Sequence, residues 1–208
     1  MTRPETPIAA EQLLATPRWT REQVLALPGR CRGSLVARWA DGCRRRWGEE
    51  GVRAVREGLG PLSAALPDDP DPDSWIPVAA QILATDLVID RLLGGDAAAL
   101  EGLLHDDTVR ARDKVVTWVV RTLGPATVFR GARRLHPHLY DVGAVEPEVS
   151  GCEATLRWTG SPLFGNPTFR VLQVLGNRIL LRMMRREVVD LRALDAGASA
   201  FGLYLRWQ

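Results

Sequence analysis

Hydrophobic positions recur at helical spacing until about Tyr140 and then switch to alternation, with one long helical stretch set inside the alternating part. That stretch is FRVLQVLGNRILLRMM, Phe169 to Met184. Val171, Leu172, Leu175, Ile179 and Met183 recur three and four residues apart, and Leu180, Leu181 and Met184 widen the stripe. Arg170, Gln173, Asn177, Arg178, Arg182 and Arg185 take the other side. So wide a stripe needs cover from more than one neighbour. Gly176, inside the helix, costs about 1 kcal/mol relative to alanine. Close approach of another backbone is the expected reason for it.

Ahead of that helix, CEATLRWT (152–159) places Cys152, Ala154, Leu156 and Trp158 on one face, the pattern of a half-buried strand. Val142 to Val149 is its partner, turning at Ser150-Gly151, and Pro147 confines it to an edge or a bulge. After the helix, 187–194 and 200–207 alternate in the same way and form a second hairpin around Asp195–Ser199.

The first 140 residues predict helices. Pro4, Pro7, Pro17 and Pro28 break residues 1–30 into an arm with short helical pieces at Ala9–Ala15 and Arg21–Leu27, the second capped by Thr20. Gly33–Trp47 and Glu49–Leu59 follow, separated by Gly48. LPDDPDPDS (66–74) is a linker. Trp75–Leu93 reads as one apolar helix capped by Ser74 and closed by Gly94-Gly95. Further helices are expected from Asp96 towards Arg112, at Asp113–Leu123, and, past a break at Gly124-Pro125, at Ala126–Tyr140.

The fold class is therefore α+β: a helical N-terminal half, then β-β-α-β-β, a four-stranded antiparallel sheet with one long helix packed on it. The expected division is an arm at 1–30 and a single domain at 31–208, helical over 31–140 and sheet-forming over 141–208.

Composition narrows the classes. A hydrophobic content of 46% and a charged content of 25% are those of a globular protein. No apolar run reaches the ~18–20 residues of a membrane span, and MTRPETPIAAEQ lacks the form of a secretory leader. The expected location is cytoplasmic. A net charge of +2 argues against nucleic acid as a partner, as do Glu49, Glu50 and Glu57 beside the run Arg44-Arg45-Arg46. Cys31, Cys43 and Cys152 form neither a disulfide framework nor a zinc pattern. The aspartates of 68–73 lack the glycine and distal glutamate of a calcium loop.

The densest polar cluster is Arg133, Arg134, His136, His138, Tyr140 and Asp141. Extended, His136 and His138 share a side and could meet a metal with Asp141 or Cys152. On a helix they diverge by roughly 200°. Pro137 disfavours the helical geometry for His136. Arginine here also suits carboxylate recognition, and cations in a last helical turn stabilise the helix end. There is no Gly-x-Ser-x-Gly elbow and no glycine-rich phosphate loop after a strand. No catalytic residue, metal site or cofactor is assigned, and an enzyme is the least favoured class. Seven tryptophans suggest an aromatic-lined apolar pocket between sheet and helices. Its expected lining is Trp118, Phe129, Trp158, Phe164 and Phe169, with Arg133 or His136 near the mouth.

The element order, with RRWGEEGVRAVREGLG, the Trp75-Ile76-Pro77 helix start, GGD at 94–96, FRGARRLHPHLYDVG at 129–143 and the terminal YLRW, carries a resemblance. The chain resembles a ligand-binding fold shared by vinyl-reductase-type domains, TRAPP-type trafficking subunits and, more loosely, haem-binding H-NOX domains. Its short phrases also resemble a paralogous family abundant in myxobacteria. The chain departs from the first in lacking a cysteine-rich C-terminal end. It departs from H-NOX in lacking a Tyr-x-Ser-x-Arg motif, although His105 lies in a helix ahead of the sheet as a haem ligand would. The resemblance implies a non-enzymatic, pocket-bearing sensory or regulatory module that binds a small apolar ligand. The alternative is a protein-interaction adaptor or homodimerisation module without a ligand.

Overall fold

Residues 6–9, expected to belong to a loose or helical arm, are extended. Strand β1 (Thr6–Ala9) pairs antiparallel with a strand near the C-terminus, Ile8 opposite Ala193. Pro7 lacks a donor and so suits an edge position. The computed structural model describes the backbone of residues 6–67, 71, 73–110, 114–195 and 197–208, and the side chains of these except 6, 10, 11, 38, 106–110, 114–121 and 195. Most of the linker's aspartates and prolines lie outside the described residues.

Two short helices follow, α1 (Ala10–Leu14) and α2 (Arg21–Leu25). Thr20 and Gln23 form a reciprocal capping box at the second. Strand β2 (Arg30–Arg32) precedes α3 (Ser34–Leu59), which kinks at Gly48 (φ 68°), where the sequence places a break. Trp75–Pro77, expected to start a helix, is instead strand β3, paired with β2. Pro77 holds Ile76 out of the helical region, and the Arg32 guanidinium lies 4.5 Å from the Trp75 ring centroid. The helix begins three residues later than expected, as α4 (Val78–Leu87), and ends in a π turn over Val88–Leu92.

Helices α5 (Leu100–Arg110), α6 (Lys114–Arg130) and α7 (Ala132–Leu139) complete the helical part. α6 kinks at Gly124 (φ 71°), the expected break. α7 runs through Pro137, so the extended geometry allowed for His136 and His138 is not adopted.

Strands β4 (Ala144–Ser150) and β5 (Glu153–Thr159) form the first hairpin. Helix α8 (Pro167–Met183) and the hairpin β6 (Val188–Asp195) and β7 (Ala200–Trp207) follow. The architecture is α+β, as the pattern predicts. The sheet holds five strands rather than four, in the order β1-β6-β7-β5-β4, and β4 with its Pro147 is an edge. Cys152, assigned to the inward face, is exposed in the turn after Gly151 (φ 55°), and the strand starts one residue later.

Leu156 faces Leu203 and Trp158 faces Phe201 across β5 and β7, all four buried. A one-residue slip would expose every one of these side chains, at ~1.5–3 kcal/mol each for the larger ones. That fixes the register. Arg170 at the start of α8 donates to the carbonyls of Phe164, Gly197 and Ala200, tying the helix to the loop before it and the turn of the second hairpin. Among the described residues no helix is long and apolar enough to cross a membrane.

Asp86, in α4, is a largely buried carboxylate. Burial pushes its pKa up to about 6, although Thr168 Oγ1 donates to it at 2.6 Å and the Arg18 guanidinium lies 3.8 Å away. The folded state holds this proton more tightly than the unfolded chain, so the group removes stability as pH rises from about 4 to about 6. Urea unfolding of the wild type and Asp86→Asn across that window should show the difference moving in the variant's favour with rising pH. A difference that stays flat would show that Asp86 titrates alike in both states.

Candidate functional site

Helix α8 is apolar on two sides, and only one is fully covered. Val171, Val174, Leu175 and Leu181 are buried. Leu172, Gly176, Ile179, Leu180 and Met183 instead line a cavity of about 360 Å³ between the helix, the sheet and the N-terminal helices. Val145, Leu156 and Trp158 form its sheet wall, and Leu35, Trp39, Leu104, Val128, Phe129 and Leu139 its helical wall. The volume lies near the low end of the ~300–1,000 Å³ of small-molecule sites.

Gly176 does not mark a close backbone approach. A Cβ built there meets no atom within 4 Å, so the glycine leaves room at the cavity.

Polar groups are few and converge. Gln81, His136 and Tyr140, all buried, stand on the helical wall, and Gln173 and Asn177 on α8. Gln81 Nε2 donates to the Tyr140 hydroxyl at 3.2 Å, while Gln81 Oε1 has no partner among the described residues. His136 Nε2 is 3.0 Å from the Val142 carbonyl, which can only accept, so the ring carries its proton there. The imidazole stacks on Tyr140 with centroids 5.4 Å apart. Burial lowers the pKa of His136, against the opposing effect of its bond to Val142, and raises that of Tyr140. Both groups are neutral near pH 7. No charged side chain lines the cavity among the described residues.

The residues expected to line a pocket divide into groups. Phe129, His136 and Trp158 are on the wall. Phe164 and Phe169 are fully buried behind it. Phe164 lies 5.9 Å from the His136 ring, and Phe169 edges against Tyr140 and Trp158. Arg133, expected near the mouth, is exposed and pairs with Glu146 of β4 at 3.5 Å. The side chain of Trp118 lies outside the described residues. His138 is exposed on the helix while His136 is buried, and Asp141 bonds Arg30, so the histidine-pair arrangement does not form. Among the described residues no cluster of three His, Cys, Asp or Glu could hold a metal ion. Cys31 and Cys43 are buried, and burial pushes both thiols up to about 12, which makes them inert.

Gln81 lines the cavity without having been singled out by the sequence pattern. Its signal was present in the sequence: it is a lone amide within the apolar run PVAAQILA. A second depression, about 850 Å³, runs along β1, β6 and the end of α8. It is larger but lined by charged residues, of which Arg178 and Arg182 pair with Glu101, and Arg192 with Asp190.

No family model and no curated protein sequence matches the chain. Solved structures do. An iron(II) unliganded H-NOX protein from K. algicida superposes with a TM-score of 0.57 at 7% identity, covering 85% of this chain and 96% of that one. An H-NOX mutant from Cs, carrying 4-cyano-L-phenylalanine, gives 0.57 at 10% identity, with 85% and 96% covered. An oxygen-binding H-NOX domain related to soluble guanylate cyclases gives 0.51 at 9%, covering 85% and 95%. The fold is of the H-NOX type. At such identity the likeness concerns the fold alone. It overturns the vinyl-reductase and TRAPP-type resemblance, to which the order of elements gave first place, and no family match supports the myxobacterial one carried by the short phrases. An order of helices and strands is compatible with more than one spatial arrangement, and the superposition tests the arrangement itself.

Two outcomes are expected at the cavity wall. The His136 ring should titrate below its ordinary 6.5 in a pH series of NMR spectra. The stability tied to its neutral form is present above about 6.5 and lost as pH falls through the folded-state value. A ring that titrates at or above 6.5 would show it solvated. Gly176→Ala should raise the melting midpoint by about 2–4 °C, the equivalent of ~1 kcal/mol of helix propensity in a chain of this size. A lowered midpoint would mean that the space beside Gly176 is filled.

Proposed function

We propose that this chain is a non-enzymatic sensory or regulatory module that binds a small, largely apolar molecule between its sheet and its helices. The observation that carries the reading is the cavity beside α8, apolar over most of its wall, with a buried polar group that has no partner among the described residues. Native structures rarely leave such a group unmatched. A ligand would match it. The non-enzymatic reading is supported by the character of the polar groups, which are neutral and hold one another rather than forming an acid–base pair. The adaptor alternative gains no specific support: among the described residues the exposed large apolar side chains, Leu25, Leu123, Leu135 and Val189, come from four different elements.

The H-NOX neighbours are described as holding iron(II) or binding oxygen, and haem is the group their fold implies. The residues of this cavity do not fit it. Haem needs an axial donor and partners for two carboxylates. The histidine on the wall, His136, has Nε2 bonded to Val142, which leaves only the crowded Nδ1 beside its own side-chain stem. Among the described residues His105 does not line the cavity, and no arginine does either. The Tyr-x-Ser-x-Arg motif is missing from the whole sequence.

Native mass spectrometry compared with the denatured mass tests the reading. Excess mass that disappears on denaturation is expected for the wild type. Gly176→Leu, which projects a side chain into the cavity, should remain folded and lose that mass. A bare wild-type mass at twice the chain mass would overturn this reading and favour the interaction module. Excess mass unchanged in Gly176→Leu would place the bound molecule elsewhere.

A further inference from the structure

We infer that the molecule bound in this cavity is uncharged and carries a hydroxyl group, which Gln81 and Tyr140 recognise as a pair. The inference rests on the ligand-binding reading above and deepens it.

It starts from what the two side chains leave unmet. Gln81 is 96% buried (4% exposed) and Tyr140 is 6% exposed, so neither can rely on bulk water. Gln81 Nε2 gives one proton to the Tyr140 oxygen. Gln81 Oε1 then remains a bare acceptor. The Tyr140 hydroxyl still has its own proton to give, and no acceptor for it is found among the described residues. The pair therefore offers one open acceptor and one open donor side by side. A hydroxyl is the smallest group that answers both, because it donates one proton and accepts another.

The conclusion does not depend on which way round the amide lies. Exchanging its nitrogen and oxygen makes Tyr140 the donor to Oε1 and leaves Nε2 as the open donor. The tyrosine oxygen is then the open acceptor. A ligand hydroxyl satisfies that arrangement equally well. An ether or ketone can answer only the donor half in either case.

Charge is disfavoured by the same wall. A carboxylate or ammonium would enter a cavity with no opposite charge among its described lining residues, and an unpaired buried ion is costly. The rest of the molecule is apolar, to match Trp39, Phe129, Trp158 and Leu172.

Three probes with the same C8 scale separate the possibilities: 1-octanol, its isomer 1-methoxyheptane, and octanoate. Their affinities for the full chain, read by titration calorimetry at neutral pH, should fall in that order. The alcohol should exceed the ether about tenfold, the span expected when a buried hydrogen-bonding group is satisfied or left open. In the double variant Gln81→Leu/Tyr140→Phe both partners become apolar groups of similar shape, which folded proteins tolerate well. There the alcohol and ether should bind within about twofold of each other. The wild-type ratio needs no variant, so the test survives a variant that fails to fold. Equal wild-type affinities for alcohol and ether would overturn hydroxyl recognition and leave the ligand-binding reading standing. Octanoate binding tightest would overturn the uncharged ligand. Binding of none of the three would overturn both readings.

Discussion

Helix α8 carries more apolar surface than one neighbour can cover, and the rest of the structure answers that constraint. The sheet takes one side through Leu203, Leu205 and the residues aligned with them. The other side needs a second layer, which the helices before the sheet supply. A sheet face and a bundle of helices do not match in shape along the full length of α8. The mismatch is left at Leu172, Gly176, Ile179 and Met183 as a cavity. Gly176 enlarges it further. A residue that weakens the helix and packs against nothing is hard to account for by stability alone.

The wall chemistry is decided by burial. Gln81, His136 and Tyr140 come from two helices and the residue that follows the second, and they meet only where α4 runs beside the end of α7. Withdrawn from water, the imidazole loses its charge and the phenol keeps its proton. A neutral site with one unmet pair of hydrogen-bonding positions is the result. Folds of the same type host different chemistries according to the side chains placed in their cavities. Here an H-NOX-type arrangement of elements frames a wall whose described residues include no arginine or lysine and whose histidine has Nε2 bonded to the backbone.

Outside the cavity, long arginines and short caps hold the layers together. Arg170 bridges three carbonyls, and Asn166 caps α8 by accepting from the Phe169 amide. Arg18 crosses from the N-terminal segment to Asp86 and Asp90, and Asp86 in turn accepts from Thr168 in the first turn of α8. The contacts of Arg18, like the pairing of β1 with β6, join segments far apart in the chain. They explain why the N-terminal segment, including β1, is part of the folded body.

The sequence by itself determined the period of each element and where most of them break. Alternation over 153–159 and 200–207 allowed only strands, and helical spacing over 169–183 allowed only a helix, because side-chain direction follows the backbone repeat. Gly48 and Gly124 marked kinks because their backbone conformations suit glycine. Pro147 marked an edge because it cannot donate. Phe129 and Trp158 stood out in the sequence as large aromatics in predicted elements and His136 as part of the polar cluster before the sheet, and all three lie on the cavity wall. Tertiary structure decided the rest. β1 and β3 are too short to show a period, and they became strands because a partner edge was available. Arg133 turned to Glu146 across a contact that no local pattern encodes. The pairing of Gln81 with Tyr140, 59 residues apart, exists only because the fold sets α4 beside the residue that follows α7, and so does the Gln81 oxygen left without a partner among the described residues.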